Sequence, residues 1–247
     1  MTRVRNLRID LHLPQTIVTA PPLPPSSTAL VVFETVAKRY GERVALRGAS
    51  LAVGRGEFVL LTGPSGAGKS TALRLIAGLE VPDAGRVTVA GTDVGALKPR
   101  ARAVLRQSLG IVPQDLQLLD DRSALANVML PAQVAGLARG EARRRAQAAL
   151  QRVGLDNFDA ERLRPSALAG AARQRLALAR AIVNAPVLLL ADEPTAHLHA
   201  AAAAELFGVF AQCAAAGATV IVASHGDAAA LPTGVRSIAL RDGEVAA

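Results

Sequence analysis

Cysteine is nearly absent: the 247 residues contain one, Cys213. A single thiol excludes a disulfide framework and a cysteine-based metal site, and it suits a reducing compartment. Tryptophan is missing, tyrosine occurs once (Tyr40), and aromatic residues make up 2% of the chain. That is too few for the stacking platform on which single-stranded nucleic acid is held. Lysine is scarce as well, since Arg supplies 25 of the 28 cationic side chains. Residues 1–20 carry Arg3, Arg5 and Arg8 but no unbroken apolar stretch, so no secretory signal is expected. The longest charge-free apolar run, Leu206 to Ser224, is interrupted by Gln212 and Gly217 and turns β-branched at Thr219-Val220-Ile221-Val222. Helix, glycine stop and buried strand explain that run better than a bilayer span.

What is present is apolar and alanine-rich. Hydrophobic residues reach 51%, with Ala at 51 positions, which excludes global disorder and favours helices over aromatic-rich β architecture. The length allows one large α/β domain or two small ones. The formal charge of +8 comes from scattered arginines with no nucleic-acid motif beside them, so a solvated basic face is expected and a specific nucleic-acid partner is not.

Residues 1–29, with Pro14 and the cluster Pro21-Pro22-Leu23-Pro24-Pro25, read as a proline-rich, disordered leader. Residues 30–245 carry an α/β rhythm. Strands are expected at 30–36, 44–51, 57–62, 86–89, 187–191, 218–223 and, last, 236–240; helices are expected at 70–77, 141–153, 170–183 and 200–216. The section from about 115 to 168 changes character and reads as a helical insertion. The expected fold is a mostly parallel sheet with antiparallel strands and an α-helical subdomain.

One segment carries specific chemistry. Gly63-Pro64-Ser65-Gly66-Ala67-Gly68-Lys69-Ser70-Thr71 fits G-x-x-x-x-G-K-[ST], with an apolar strand before it and a helix after it. Glycines let backbone N–H groups wrap a phosphate chain, and the helix N-terminus adds positive potential. Lys69 is expected to reach the β- and γ-phosphates, and Ser70 to ligate Mg²⁺. The run Val187-Leu188-Leu189-Leu190-Ala191-Asp192-Glu193-Pro194 supplies the matching acids. Asp192 closes a buried strand as a second magnesium ligand, and Glu193 is placed to polarise a water for attack on the γ-phosphate. These features point to a P-loop NTPase site that holds a phosphate chain with Mg²⁺.

Over about residues 30–245 the sequence resembles the ATP-binding subunits of ABC transporters. The resemblance implies further roles. Gln114, in Ile111-Val112-Pro113-Gln114-Asp115, falls at the Q-loop that touches magnesium and water. His225, after Val222-Ala223-Ser224, falls at the switch histidine that contacts the γ-phosphate. Tyr40 falls where an aromatic ring stacks on adenine. Ala169 and Gly170, in Leu168-Ala169-Gly170-Ala171-Ala172, fall in the signature that binds the ATP of the other subunit in a homodimer holding two ATP at its interface. Within the family the likeness is nearest to the FtsE-type cell-division ATPases. They pair with an FtsX-like integral membrane partner at the cytoplasmic face of the bacterial inner membrane. Lipoprotein-releasing and macrolide-export ATPases, which work with exporter permeases, look similar over the same stretch.

Two segments depart from the family pattern. The signature normally reads Leu-Ser-Gly-Gly-Gln/Glu, so Ala169 removes a hydroxyl and Ala171 adds a methyl. After Thr195-Ala196-His197-Leu198, His199 stands where the family has Asp. His197 and His199 are expected to face apart on a helix, without a third ligand for a metal. Magnesium-ATP binding with slow hydrolysis is the expected activity, and an ATP-gated binding module with negligible turnover is the alternative.

Overall fold

The computed structural model describes residues 29–156, 159–225 and 232–246. The proline-rich leader read at 1–29 lies outside them, apart from Ala29. The order is β1 (Ala29–Tyr40), β2 (Arg43–Gly54), β3 (Phe58–Thr62), α1 (Lys69–Ile76), β4 (Ala84–Val89), β5 (Thr92–Asp93), α2 (Pro99–Gln107) and β6 (Leu109–Val112). Then follow α3 (Ala124–Val134), α4 (Arg139–Arg152), a 3₁₀ turn (Pro165–Ala167), α5 (Gly170–Ile182), β7 (Leu188–Asp192), α6 (Ala200–Ala215), β8 (Thr219–Ala223), β9 (Arg236–Arg241) and β10 (Glu244–Val245).

Two sheets result. One is antiparallel, in the order β2-β1-β4-β5; the other runs β10-β9-β3-β8-β7-β6. In the second, β9, β3, β8, β7 and β6 are parallel to their neighbours, and only β10 turns back on β9. The alternation of strand side chains divides the interior in two. Phe58, Leu60, Leu189, Ala191, Val220 and Val222 point to one face, against α3, α4, α5 and α6. Val59, Leu61, Leu188, Leu190, Ile221 and Ala223 point to the other, against α1 and the antiparallel sheet. Three of the few aromatic rings, Phe58, Phe207 and Phe210, meet in the first layer with centroids 6.4–6.5 Å apart.

The run 206–224 is the helix, stop and strand that its composition implies. Gly217 N–H donates to the Ala214 carbonyl at 2.8 Å and Ala218 N–H to Cys213 at 3.1 Å, closing α6 before β8 enters the sheet. No helix among the described residues is long and apolar enough to cross a membrane.

Several elements escape the periodicity. β1 and β2 each run twelve residues, longer than expected, because they curl around one another through repeated register shifts. β6 has four residues, and β5 and β10 have two each, too short to show alternation. The last strand is therefore β10, not β9. α3 is apolar on most sides and contains Pro131, so it shows no amphipathic stripe. α2 begins at Pro99 and is largely basic.

Asn127 holds the entry to the helical section. It is fully buried; its Oδ1 accepts from Leu119 N–H at 2.8 Å, and its Nδ2 donates to the carbonyls of Leu119 and Ser123, both at 3.0 Å. Replacing Asn127 with Ala leaves the Leu119 N–H without its acceptor and empties the side-chain volume, while the Leu119 and Ser123 carbonyls keep the backbone N–H donors of Arg122 and Asn127. The expected cost is about 1–3 kcal/mol in chemical denaturation, and Asn127→Asp, which turns a donor into a charged acceptor facing carbonyls, is expected to cost at least as much.

Candidate functional site

Four parallel strands end at one edge of the sheet, and each delivers one part of the site. β3 leads into the loop 63–68, β7 ends on Asp192, β8 is followed by His225 and β6 by Gln114. Convergence at the carboxyl ends of parallel strands is where open α/β sheets place ligands.

The loop can take its shape only with glycine at two contact points. Gly63 has φ 140°, and a Cβ there would lie 2.0 Å from the Leu240 carbonyl oxygen. Gly68 has φ 102°, and a Cβ there would lie 2.5 Å from the Ala45 carbonyl oxygen. Gly68 is also the N-cap of α1, with no side chain to cap the helix. The first amides of α1 therefore have no capping side chain and are suited to an anion.

Lys69 is buried, at 5% exposure. Its Nζ donates to the carbonyls of Gly63 (2.8 Å) and Pro64 (3.1 Å) and lies 3.6 Å from Glu193 Oε1. The Ser70 hydroxyl donates to Asp192 Oδ1 at 2.9 Å. Burial holds the Asp192 carboxyl above the usual carboxylate range; the Ser70 hydrogen bond opposes this and the neighbouring Glu193 charge adds to it. An oxygen-only pair made of a hydroxyl and a half-buried carboxylate with disfavoured ionisation fits a hard divalent cation such as Mg²⁺.

Glu193 adopts φ 49°, a left-handed conformation unusual for a carboxylate residue. Its backbone N–H is held by the Ala223 carbonyl at 2.9 Å. This sharp turn off β7 separates the two acids: Asp192 reaches Ser70, while Glu193 reaches His225. The His225 Nδ1 lies 2.5 Å from Glu193 Oε1, and the His225 N–H donates to Oε2 at 3.3 Å. Glu193 is buried while the His225 side chain remains 55% exposed. A buried carboxylate between an ammonium and an imidazole can accept a proton from a water and share its charge with two neighbours.

A cavity of about 400 Å³ joins these groups; its lining includes Tyr40, Ser65, Gly66, Lys69, Ser70, Thr71, Gln114, Glu193 and His225. Tyr40 stands at its mouth, with Lys38 Nζ 5.6 Å and the Arg74 guanidinium 6.0 Å from the ring centroid. Two further cations line the same cavity, Arg43 and Arg74. Arg74 follows Ser70 by one helical turn, a spacing that placed it on the same face. Nothing in the sequence separates Arg43 from the other arginines. A second cavity of about 520 Å³ lies beside the first and shares Ser70, Arg74 and Gln114 with it.

Ala169 and Gly170 are not brought to this cavity. Ala169 is the N-cap of α5 in extended backbone (φ −66°, ψ 160°), with no side chain able to cap. His197 and His199 are not on a helix, contrary to expectation. His197 sits in a turn at φ 66°, and His199 is the N-cap of α6, its Nδ1 accepting from Ala202 N–H at 3.3 Å. No group of three or more His, Cys, Asp or Glu side chains suited to a metal occurs among the described residues.

Comparison with known proteins gives the family. Residues 46–196 match the family model described as ABC transporter. The chain is 41% identical over 217 residues to the cell division ATP-binding protein FtsE of Escherichia coli K12, spanning 87% of this chain and 97% of that protein. It is 45% identical over 198 residues to the lipoprotein-releasing system ATP-binding protein LolD of Maricaulis maris, spanning 78% and 85%. Among solved structures, the dimeric structure of MJ0796, a bacterial ABC transporter cassette, superposes with a TM-score of 0.81 at 34% identity, covering 88% of this chain and 97% of that one. By that family-model match and that identity, the chain belongs to the ATP-binding proteins of ABC transporters.

Proposed function

We propose that this chain binds Mg-ATP in the 400 Å³ cavity and hydrolyses it, as the motor subunit of a membrane complex of the FtsE–FtsX cell-division type. One observation carries the catalytic half of the reading: at the sheet edge Ser70 is hydrogen-bonded to Asp192, and beside that pair Glu193 is held between Lys69 and His225. Gly63 through Gly68 and Thr71 wrap the phosphates, with Lys69 leaving the loop carbonyls for the β- and γ-oxygens. Ser70, Asp192 and Gln114 would hold the Mg²⁺, whose charge would offset that of the phosphates. Glu193 takes the proton of the attacking water, and His225 steadies the resulting charge from the cavity's open side. Tyr40 offers its exposed ring to adenine, with Arg43 and Arg74 on either side of the phosphate path.

The membrane assignment rests on 41% identity to FtsE, against 45% over a shorter span to LolD. A homodimer with two ATP at its interface would carry Ala169 and Gly170 of each copy to the other copy's phosphates, at the cytoplasmic face of the inner membrane. Affinity capture of the chain from its native membranes, followed by mass spectrometry, tests this. An FtsX-like protein supports the cell-division reading, and an exporter permease overturns it.

A second reading, an ATP-gated module with negligible turnover, is favoured by the uncapped start of α5 at Ala169. Glu193→Gln separates the two. The hydrolytic reading expects unchanged ATP affinity with phosphate release reduced about 100-fold or more, the range of a lost general base; equal release from both proteins removes it.

Ala169→Ser is expected to cap α5, since its backbone already has N-cap dihedrals. A gain of about 1 kcal/mol, or about 2–4 °C in Tm, is expected without nucleotide. Faster phosphate release in the same variant would identify the missing hydroxyl as what slows turnover.

Asp192 gives a pH-dependent test. Its carboxyl titrates higher in the folded state than in the unfolded chain. The stability from that retained proton is complete below the unfolded value and lost as pH rises through the native one. Above that native value the nucleotide-free fold carries an unfavourable charge. Asp192→Asn is expected to melt higher than wild type in the absence of nucleotide, with the difference shrinking toward acid pH. It is also expected to lose the thermal shift that Mg-ATP gives wild type.

A further inference from the structure

The turn that carries Gln114 leaves β6 through unusual backbone. Leu116 (φ 57°) and Gln117 (φ 47°) are consecutive non-glycine residues in the left-handed region. Such a pair persists only where its surroundings over-determine it. Two local bonds help, Leu116 N–H to the Pro113 carbonyl at 3.0 Å and Gln117 N–H to the Asp115 carbonyl at 2.7 Å.

The decisive contact comes from another element. Arg180, near the end of α5, donates from Nη1 to the Gln117 carbonyl at 2.5 Å and from Nη2 to the Leu116 carbonyl. A planar guanidinium binding two successive carbonyls fixes the orientation of that peptide, which an ammonium cannot do. A second link joins the same two segments at the surface, where Arg173 of α5 lies 4.0 Å from Asp120. α5 begins with Gly170 after Ala169, and none of the nucleotide motifs includes Arg180.

We infer that Arg180 is a positioning residue: it locks the exit of the Gln114 turn to α5, so that displacement of Gln114 by nucleotide and displacement of the Ala169–Gly170 end become one motion. The turn cannot relax toward ordinary backbone without breaking the fork, and the fork cannot move without carrying a continuous helix. This rests on the proposed Mg-ATP site, and it names the connection between the two halves of that site.

Arg180→Lys keeps the charge and the aliphatic stem but cannot bind both carbonyls; Arg180→Ala removes the contact. Amide hydrogen exchange on the full chain, with and without Mg-ATP, reads the clamp independently of turnover. Exchange at Leu116 and Gln117 is expected to quicken about tenfold or more in both variants. Mg-ATP is expected to protect residues 168–172 in wild type and not in Arg180→Lys. The Kd for Mg-ATP is expected to stay within about threefold of wild type, while kcat falls at least about tenfold with little change in KM, the pattern of a lost positioning contact rather than lost binding. Should Arg180→Ala fail to fold, Arg180→Lys carries the test alone. Wild-type exchange at 116–117 in Arg180→Lys overturns the clamp. Loosened exchange with unchanged kcat and unchanged protection at 168–172 reduces Arg180 to a structural role and overturns the coupling. If wild type itself releases no phosphate, the hydrolytic reading fails, and the nucleotide-linked protection at 168–172 still decides the coupling.

Discussion

A buried lysine facing a buried carboxylate, with a second carboxylate beside it, is costly to hold in a folded chain without compensating charge and hydrogen bonds. Lys69, Glu193 and Asp192 occupy this position, and much of the architecture around them serves it. The lysine is tied to two loop carbonyls, Glu193 to an imidazole and Asp192 to a hydroxyl. Asp192 remains the unrelieved member, its ionisation disfavoured by burial. A polyphosphate with a divalent cation supplies charges of both signs that such a cluster can distribute, which links the stability of the fold to nucleotide occupancy.

The two interior layers explain how that cluster is held still. Each central strand gives alternate side chains to opposite faces, so the strand ends are pinned from both sides. The dense, small-residue packing of an alanine-rich chain leaves little space for a strand end to shift. The polar groups at the edge therefore inherit the rigidity of the sheet, as electrostatic preorganisation requires. Backbone strain lies instead in the turns: Leu116, Gln117, Glu193 and His197 are held in the left-handed region by their surroundings.

Two helix starts differ in how they are closed. Ala169 leaves α5 with suitable dihedrals and no capping oxygen, whereas His199 caps α6 through Nδ1.

Local sequence determined the phosphate loop, the acid pair and the main strands and helices. A glycine spacing, a helix start and a five-residue apolar run are short-range features whose backbone preferences act within a few residues. The same locality hid β5, β6 and β10, which are too short to display a period, and α3, which is apolar on most sides and carries a proline. Only the tertiary structure decided that Glu193 turns away from Asp192 toward His225, that Arg43 and Arg74 line the cavity among 25 arginines, and that Arg180 reaches two carbonyls 63 and 64 positions earlier in the chain. Those contacts depend on where separate strands and helices come to rest against each other. Long-range packing sets that placement, and no local pattern of residues encodes it.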